Sequence, residues 1–538
     1  MKQVQASLAT LARTLGTRRA RRILLACLLA LQLALLLFWA GQRSNYYIDE
    51  LFSFGSAHSY TFAKKDVMYI NRSAQWQYGS WVDNAVLKDQ LRVSGQESLL
   101  RQPPLTALRL LLTGRNYHGL LNLLQSAFAG GEVSMAPAIG LNLLLFLAAQ
   151  LLLWRIMREL TGSAPVSLLC LAMVGFSGMM ISTVLYIRFY MLVTFLLLAL
   201  LRLHQIMWRL DSLPRCEGLT LLSMALLYLA MKDSEMMFIM GGALAASYAA
   251  ALLIAGQRKK ALLYALTVFP ASILFALTKT NFIDIALHPA SYVDGSGAEA
   301  WMTEKLLSVN RGRLVALFFK YLAWLSDLLF GSWYVLCSFL VLVLILLEVR
   351  FLGKKKTAPR EKGAAAGFIW VIAAVCGIYY VFAMLVAIPA ERYFMFYTPL
   401  LAILLWKLLH ELTAGLPTRR ALLLGCLVLT GLGLGIFVSS VTTRYRDLSF
   451  VVEFGVSLWM YASPVVYPLS QLRPEGPLYA LMRLNPMTFP LESFRLLLLG
   501  QGTILWSSAL SAAVFTALAL IGGMLIFNRV EQSFTDTV

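Results

Sequence analysis

The chain has 538 residues, of which 59% are hydrophobic and 14% are charged, and its mean hydropathy is +0.71. This composition excludes an ordinary water-soluble globular fold and indicates an all-α, polytopic transmembrane protein, since helices satisfy their own backbone hydrogen bonds in lipid. The net charge of +19 does not indicate nucleic-acid binding. Most of the basic residues in excess over acidic ones lie in short loops between apolar runs, where they set the membrane orientation.

The N-terminal segment predicts a first membrane-spanning helix with its start in the cytoplasm. Residues 1–22 carry six basic residues and no acidic one, and an apolar run follows at 23–40. Such a run is long enough to cross a bilayer. The positive-inside rule then puts the N-terminus on the cytoplasmic side of a bacterial plasma membrane. No small-residue cleavage site follows the run, so we expect it to be retained.

A pair of adjacent carboxylates, Asp49 and Glu50, comes directly after this first span. They lie among aromatic residues at the start of a long outer loop that extends to about residue 137. Aromatic side chains at this depth are ordinary interface anchors, but an ionised pair close to hydrocarbon needs solvent or a partner. Two interpretations stay open, namely a solvated acidic pair and a catalytic one.

Further apolar runs alternate with basic connections on one side and short turns on the other. The turns at Arg188 and at 390–393, and a second loop at about 279–313, are predicted outside, whereas the basic loop 354–362 is predicted in the cytoplasm. The predicted later spans are at about 138–154, 165–187, 190–207, 219–231, 236–255, 261–278, 332–349, 364–388, 394–409 and 504–527.

The six cysteines show no CxxC pair, and five of them lie inside apolar runs. A disulfide framework or a zinc site is therefore not predicted. The lone histidine of the second outer loop, His288, has no partner at a metal-ligand spacing and is interpreted as a surface residue. We assign no metal-binding residues.

Four stretches in chain order resemble the GT-C superfamily of membrane glycosyltransferases, which includes protein O-mannosyltransferases and lipid A aminoarabinose transferases. They are YYIDEL at 46–51, RQPPL at 101–105, LYIRFYML at 185–192 and ERYFMFYTP at 391–399. The resemblance covers residues 1–415 and implies a GT-C-like helix bundle with a long outer first loop. It also implies an enzyme that moves a sugar from a polyprenyl-phosphate donor to a cell-envelope acceptor at the outer membrane face.

The same resemblance implies roles for individual residues. Asp49 and Glu50 become the candidate catalytic residues, with Asp49 as the base that deprotonates the acceptor and Glu50 as a residue that orients it. An arginine grips a lipid phosphate well, although a snorkelling loop arginine is the alternative. The candidate substrate-binding residues are Arg188, Tyr190, Arg392 and Tyr393. Because charge alternation puts Asp49, Arg188 and Arg392 on one membrane face, we predict that Asp49 contacts a basic side chain, that of Arg188 or Arg392.

The implied partners are membrane lipid, the lipid-linked sugar donor and a glycan, lipid or protein acceptor. No cofactor is predicted, and the need for a divalent metal stays open. Two stretches depart from the family: RQPPLT stands at 101–106 in place of His-Pro-Pro-Leu-Tyr, and MKDSEMM at 231–237 replaces an aromatic-rich segment. These departures leave open a catalytically inactive protein that binds a sugar-lipid.

The C-terminal segment, residues 416–538, has a different resemblance. Its stretches RYRDL at 444–448, WMYASPVVYP at 459–468, LNPM at 484–487 and FRLLLLG at 494–500 resemble the C-terminal third of polysaccharide-export ABC permeases. The alternative function is therefore a permease subunit of a polysaccharide or O-antigen ABC exporter, which would require an ATPase subunit as partner. Pro464 predicts a helix break in this segment. Its orientation stays open, because the span count and the resemblance put the turn 444–447 on opposite sides.

Overall fold

In a computed structural model of the chain, the regular secondary structure of the described residues consists of helices, as the composition predicts. The structure describes residues 17–43, 45–61, 88, 91–93, 95–234, 236–278, 308, 310–330, 367–388, 390–413, 448–465, 469–472, 476–499, 503, 505, 507–519 and 522. The predictions for the span 332–349, the basic loop 354–362, His288 and the turn 444–447 lie outside these residues.

The described α-helices are numbered here in chain order. They are α1 (Arg18–Gln42), α2 (Ile48–His58), α3 (Pro104–Thr113), α4 (Asn116–Phe128), α5 (Met135–Thr161), α6 (Ala164–Phe176), α7 (Gly178–Leu185), α8 (Tyr190–Arg209), α9 (Leu213–Asp233), α10 (Met236–Ile254), α11 (Arg258–Thr278), α12 (Arg311–Phe330), α13 (Phe368–Val386), α14 (Thr398–Thr413), α15 (Leu448–Tyr461), α16 (Pro477–Leu484), α17 (Thr488–Leu499) and α18 (Ser507–Ala519). Short 3₁₀ turns include Ser59–Thr61, Gly95–Glu97, Leu99–Arg101, Glu391–Tyr397 and Leu469–Gln471.

Within the described residues, seven helices are long and apolar enough to cross a membrane, and a bent pair makes an eighth if it is one span. The seven are α1, α5, α8, α9, α10, α13 and the segment Arg392–Leu412 that contains most of α14. They coincide with seven of the predicted spans and confirm a multi-pass membrane protein. Helix α11, at the predicted span 261–278, is not among them.

The predicted span 165–187 differs from the structure, because it is two helices, α6 and α7, that meet at 58°. The break falls at Ser177, whose backbone is extended and whose hydroxyl accepts a hydrogen bond from the Met180 amide at 3.2 Å. A serine in this conformation starts a new helix rather than continuing the old one. The sequence hides the break, since both helices are equally apolar.

The predicted long outer loop contains three helices in its described part, α2, α3 and α4. Helix α3 begins with proline in its first turn and exposes Leu105, Leu108 and Leu112. An exposed apolar face is typical of a helix at a membrane interface. Helix α4 instead buries polar side chains, including Asn122 and Gln125, and packs against α2.

Contacts along the chain define two compact units. The first comprises Met1–Phe319 and Lys362–Lys407, and the second comprises Lys320–Glu361 and Leu408–Val538. These bounds differ from the predicted segments 1–415 and 416–538, which stay a prediction. In the first unit α8 is largely buried and packs against α5, α9 and the turn Glu391–Tyr397, while α10 packs against α13.

The second unit is organised around a buried carboxylate, Glu492. It accepts hydrogen bonds from the Leu469 amide at 3.0 Å and the Thr503 amide at 2.8 Å, and it pairs with Arg495 at 2.6 Å. Helix α15 ends at Tyr461 and a turn follows through Pro464, which confirms the predicted break.

Candidate functional site

The candidate site is built on the first turn of α2, which contains both Asp49 and Glu50. Acidic side chains are favourable there because the helix N-terminus carries partial positive charge. Successive residues of a helix point about 100° apart. The two neighbouring carboxylates therefore face different surroundings: the Glu50 side chain is fully buried, whereas the Asp49 side chain is 21% exposed.

Glu50 connects three parts of the first unit. Its carboxylate pairs with the buried Arg43 guanidinium at the end of α1 and accepts the Tyr47 amide at 3.0 Å and the Ile187 amide at 2.7 Å. These donors satisfy the buried Glu50 carboxylate and come from the end of α1, from the start of α2 and from the segment after α7. These contacts give Glu50 a structural task, while its predicted catalytic role stays a prediction.

The Asp49 carboxylate contacts two segments that are distant from it in the chain. Its Oδ2 accepts a hydrogen bond from the Tyr186 hydroxyl at 2.6 Å and pairs with Arg392 Nη1 at 2.6 Å. Burial raises the pKa of the Tyr186 hydroxyl, and the bond to Asp49 raises it further, so this hydroxyl stays protonated and donates. The predicted contact between Asp49 and a basic side chain is therefore present, and Arg392 is the partner.

Arg188 approaches Asp49 differently from the predicted ion pair. Its Nη1 donates to the main-chain carbonyl oxygen of Asp49 at 2.9 Å rather than to the carboxylate. The Nε–H groups of Arg188 and Arg392 are buried and have no acceptor among the described residues. A buried donor without an acceptor costs free energy, so both arginines have unused capacity for an anion.

Two tyrosines complete the group. The Tyr190 ring stacks on the Tyr186 ring with centroids 5.9 Å apart, and the Arg392 guanidinium lies 5.8 Å from the centre of the Tyr393 ring. The structure thus brings Asp49, Arg188, Tyr190, Arg392 and Tyr393 to one place in the first unit, with Glu50 directly behind them.

Two residues of the site, Tyr186 and Arg43, are not among the residues predicted from the sequence. Tyr186 lies inside the stretch that carries the resemblance but has no distinguishing pattern of its own. Arg43 did carry a signal. An arginine at the end of the first span that is predicted to be outside runs against the positive-inside preference, and the structure pairs it with Glu50.

The departure from the family pattern at 231–237 also has a structural role. Lys232 donates to the Leu111 carbonyl at 2.7 Å and to the Asn116 side chain at 3.1 Å. Asp233 accepts the Asn116 side chain at 2.7 Å and the Tyr117 amide at 3.0 Å. The end of α9 is thereby fastened to the start of α4, and both side chains are buried.

The charges at the site suit an anionic ligand. No group of three metal-ligating side chains occurs among the described residues. The neighbouring His118 is neutral, because burial, followed by the nearby Arg115 and Arg188, lowers its pKa to about 3. The charges at the site are therefore those of the Arg188 and Arg392 guanidinium groups and of the Asp49 carboxylate. Such a set can bind a phosphate next to a group that gives up a proton.

Comparisons with known proteins address the C-terminal part of the chain. The family described as ABC-2 type transporter matches residues 377–499, a segment that includes Arg392. The chain is 25% identical over 126 residues to the O-antigen export system permease protein RfbA of Myxococcus xanthus, which covers 23% of this chain and 48% of that protein. The chain thus spans about half the length of this relative. No solved structure matches the chain. The matches support the permease-like resemblance and leave the GT-C resemblance a prediction.

Because Asp49 and Glu50 make different contacts, replacing each with its amide should lower the stability of the protein by different amounts. Glu50→Gln leaves the buried Arg43 without a full counter-charge and should cost about 3–5 kcal/mol of stability. Asp49→Asn removes a pair whose partner is 41% exposed and should cost far less. Thermal unfolding of both variants in the same detergent measures the contrast. Equal melting temperatures would contradict the structural role of Glu50.

Proposed function

We propose that the first unit binds a sugar carried on a polyprenyl phosphate and transfers the sugar to a cell-envelope acceptor. The site would lie at the outer face of a bacterial plasma membrane, with the N-terminus of the chain in the cytoplasm. The observation that carries this proposal is the placement of the Asp49 carboxylate between the Tyr186 hydroxyl and the Arg392 guanidinium. A base beside an anion-binding arginine is the minimal requirement for this reaction.

The donor phosphate would be held by Arg188 and Arg392. Both offer an Nε–H group that has no acceptor among the described residues, and a phosphate presents oxygens that accept from a planar guanidinium. Both arginines also lie next to the ends of apolar helices, α8 and α14, where a lipid headgroup would be found. The polyprenyl chain would then remain among lipid tails.

In the proposed reaction the Arg392 guanidinium would act first, by binding the phosphate, and the Asp49 carboxylate second, as the base. When the phosphate binds, Arg392 exchanges its bond to Asp49 for bonds to the phosphate, and the Asp49 carboxylate becomes available as a base. Asp49 then accepts the proton of the acceptor hydroxyl as that oxygen bonds to the anomeric carbon. The bond between this carbon and the phosphate oxygen breaks, and polyprenyl phosphate leaves with the electron pair, stabilised by the arginines.

The transferase proposal predicts a large kinetic effect of Asp49→Asn, because the amide keeps the shape of the side chain and cannot accept the proton. We expect transfer from a radiolabelled polyprenyl-phosphate sugar to fall about 10²–10⁴-fold. Asp211→Asn, in the exposed connection between α8 and α9, is the matched control and should leave the rate unchanged. Unchanged turnover in the Asp49 variant would contradict the proposed base. Donor binding without any transfer in the wild type would indicate an inactive sugar-lipid-binding protein.

A second candidate, a permease subunit of a polysaccharide exporter, is favoured by the comparisons. The matched segment 377–499 resembles ABC-2 type transporters, and the curated relative is an O-antigen export permease. On this hypothesis the second unit works with a separate ATPase subunit. The comparisons support this function more directly than sugar transfer, whereas the geometry of the first unit supports sugar transfer.

Variants in the two units distinguish the candidates. Glu492→Ala removes the carboxylate on which the fold of the second unit depends, and Asp49→Asn removes only the candidate base of the first. An export role predicts that a strain carrying Glu492→Ala loses its surface polysaccharide, while Asp49→Asn retains it. The measurement is the amount of surface polysaccharide at matched protein level. The opposite pattern would contradict an export role.

A further inference from the structure

A buried asparagine in the middle of the first unit contacts the segment that carries the site. Asn142 lies near the start of the long helix α5 and is fully buried. Its side-chain NH₂ group donates to the Val184 carbonyl oxygen at 2.9 Å and to the Tyr186 carbonyl oxygen at 3.0 Å. Because both contacts are with carbonyl oxygens, the orientation of the amide is fixed by its partners.

The carbonyl groups of residues 184–186 need hydrogen-bond donors from outside their own helix. Helix α7 ends at Leu185, and the backbone of Tyr186 is extended. The last carbonyl groups of a helix have no partner within the helix, and in a membrane protein an unpaired carbonyl is costly. Here the Asn142 side chain donates to the Val184 and Tyr186 carbonyl oxygens, and Arg43 donates to the Leu185 carbonyl oxygen between them. The Tyr186 carbonyl oxygen also accepts from the Arg188 amide at 2.8 Å, whereas Asn142 is the donor that ties it to a neighbouring helix.

The groups fixed in this way are those that contact the two acids. The Tyr186 hydroxyl donates to Asp49, and the next amide, that of Ile187, donates to Glu50. Arg188 follows and donates to the Asp49 carbonyl. Asn142 and Arg43 therefore both hold the backbone from which all three contacts are made, and Asn142 supplies two of these hydrogen bonds from a neighbouring helix.

We propose that Asn142 is a positioning residue that fixes residues 184–188 so that Tyr186 and Arg188 meet Asp49. Its effect on ligand binding rests on the proposed function, while its effect on the backbone does not. Neither a leucine nor an ionised aspartate at this position can donate to the two carbonyls. The segment would then keep its contacts with Arg43 and Glu50 but lose two of its hydrogen bonds. We expect it to move relative to α2, so that Tyr186 loses the Asp49 carboxylate and Arg188 loses the Asp49 carbonyl oxygen.

Helix α5 supplies a matched control. Gln150 lies about two turns further along the helix, is also buried, and neither atom of its amide has a hydrogen-bond partner in the described part of the chain. Replacing it with leucine removes a buried polar group without breaking a hydrogen bond. Comparing Asn142→Leu with Gln150→Leu therefore separates the loss of the two carbonyl contacts from a general change in the polarity of α5.

The first measurement needs no ligand. Hydrogen–deuterium exchange of the full chain in lipid nanodiscs should show amide exchange in residues 184–188 at least about tenfold faster in Asn142→Leu than in the wild type. The increase should be confined to this segment and α2, and Gln150→Leu should show none. Asn142→Asp keeps the side-chain shape and should behave like the leucine variant. Equal exchange in wild type and both Asn142 variants would overturn the proposal.

The second measurement tests the consequence for the site. Binding of a short-chain polyprenyl phosphate should weaken at least about tenfold in Asn142→Leu, well below its melting temperature, and stay unchanged in Gln150→Leu. Faster exchange with unchanged binding would overturn the positioning role. A wild-type chain that does not bind this probe would instead contradict the proposed function, and the exchange result would still decide whether Asn142 fixes the segment.

Discussion

The ion pair between Asp49 and Arg392 is the contact on which the arrangement of the first unit's site depends. It joins residues 343 positions apart, at 2.6 Å, and so connects the segment after the first span to the turn before α14. A carboxylate at a membrane face needs a partner or water, and here a guanidinium and a phenol hydroxyl supply it. The pair is partly exposed, which lets a ligand compete for the arginine.

Next to this pair lies a second ion pair, between the largely buried Arg43 and the fully buried Glu50, whose contacts are structural. Arg43 and Glu50 tie the end of the first span to α2 and to the Ile187 amide. The two adjacent acids of one sequence motif thus differ, since Asp49 is partly exposed and Glu50 is fully buried. The difference follows from helix geometry, because neighbouring residues face different sides of α2.

Hydropathy and charge alternation predicted most spans, since apolar length and basic loops are local properties of the sequence. Charge alternation, which puts Asp49, Arg188 and Arg392 on one membrane face, also predicted that Asp49 would contact an arginine of a distant segment. The buried contacts of Asn142 and of Arg43 could not be predicted, because they depend on which helices become neighbours. The break at Ser177 was hidden for another reason: the residues on both sides of it are uniformly apolar.

The central claim is that Arg392 exchanges Asp49 for a lipid phosphate, and binding of a short-chain polyprenyl phosphate to four forms of the chain tests it most directly. The forms are the wild type, Asp49→Asn, Arg392→Gln and the double variant. The account predicts that Asp49→Asn tightens binding while Arg392 is present and has no such effect in Arg392→Gln, with a coupling of about 0.5–3 kcal/mol. An equal effect of Asp49→Asn in both backgrounds would contradict it.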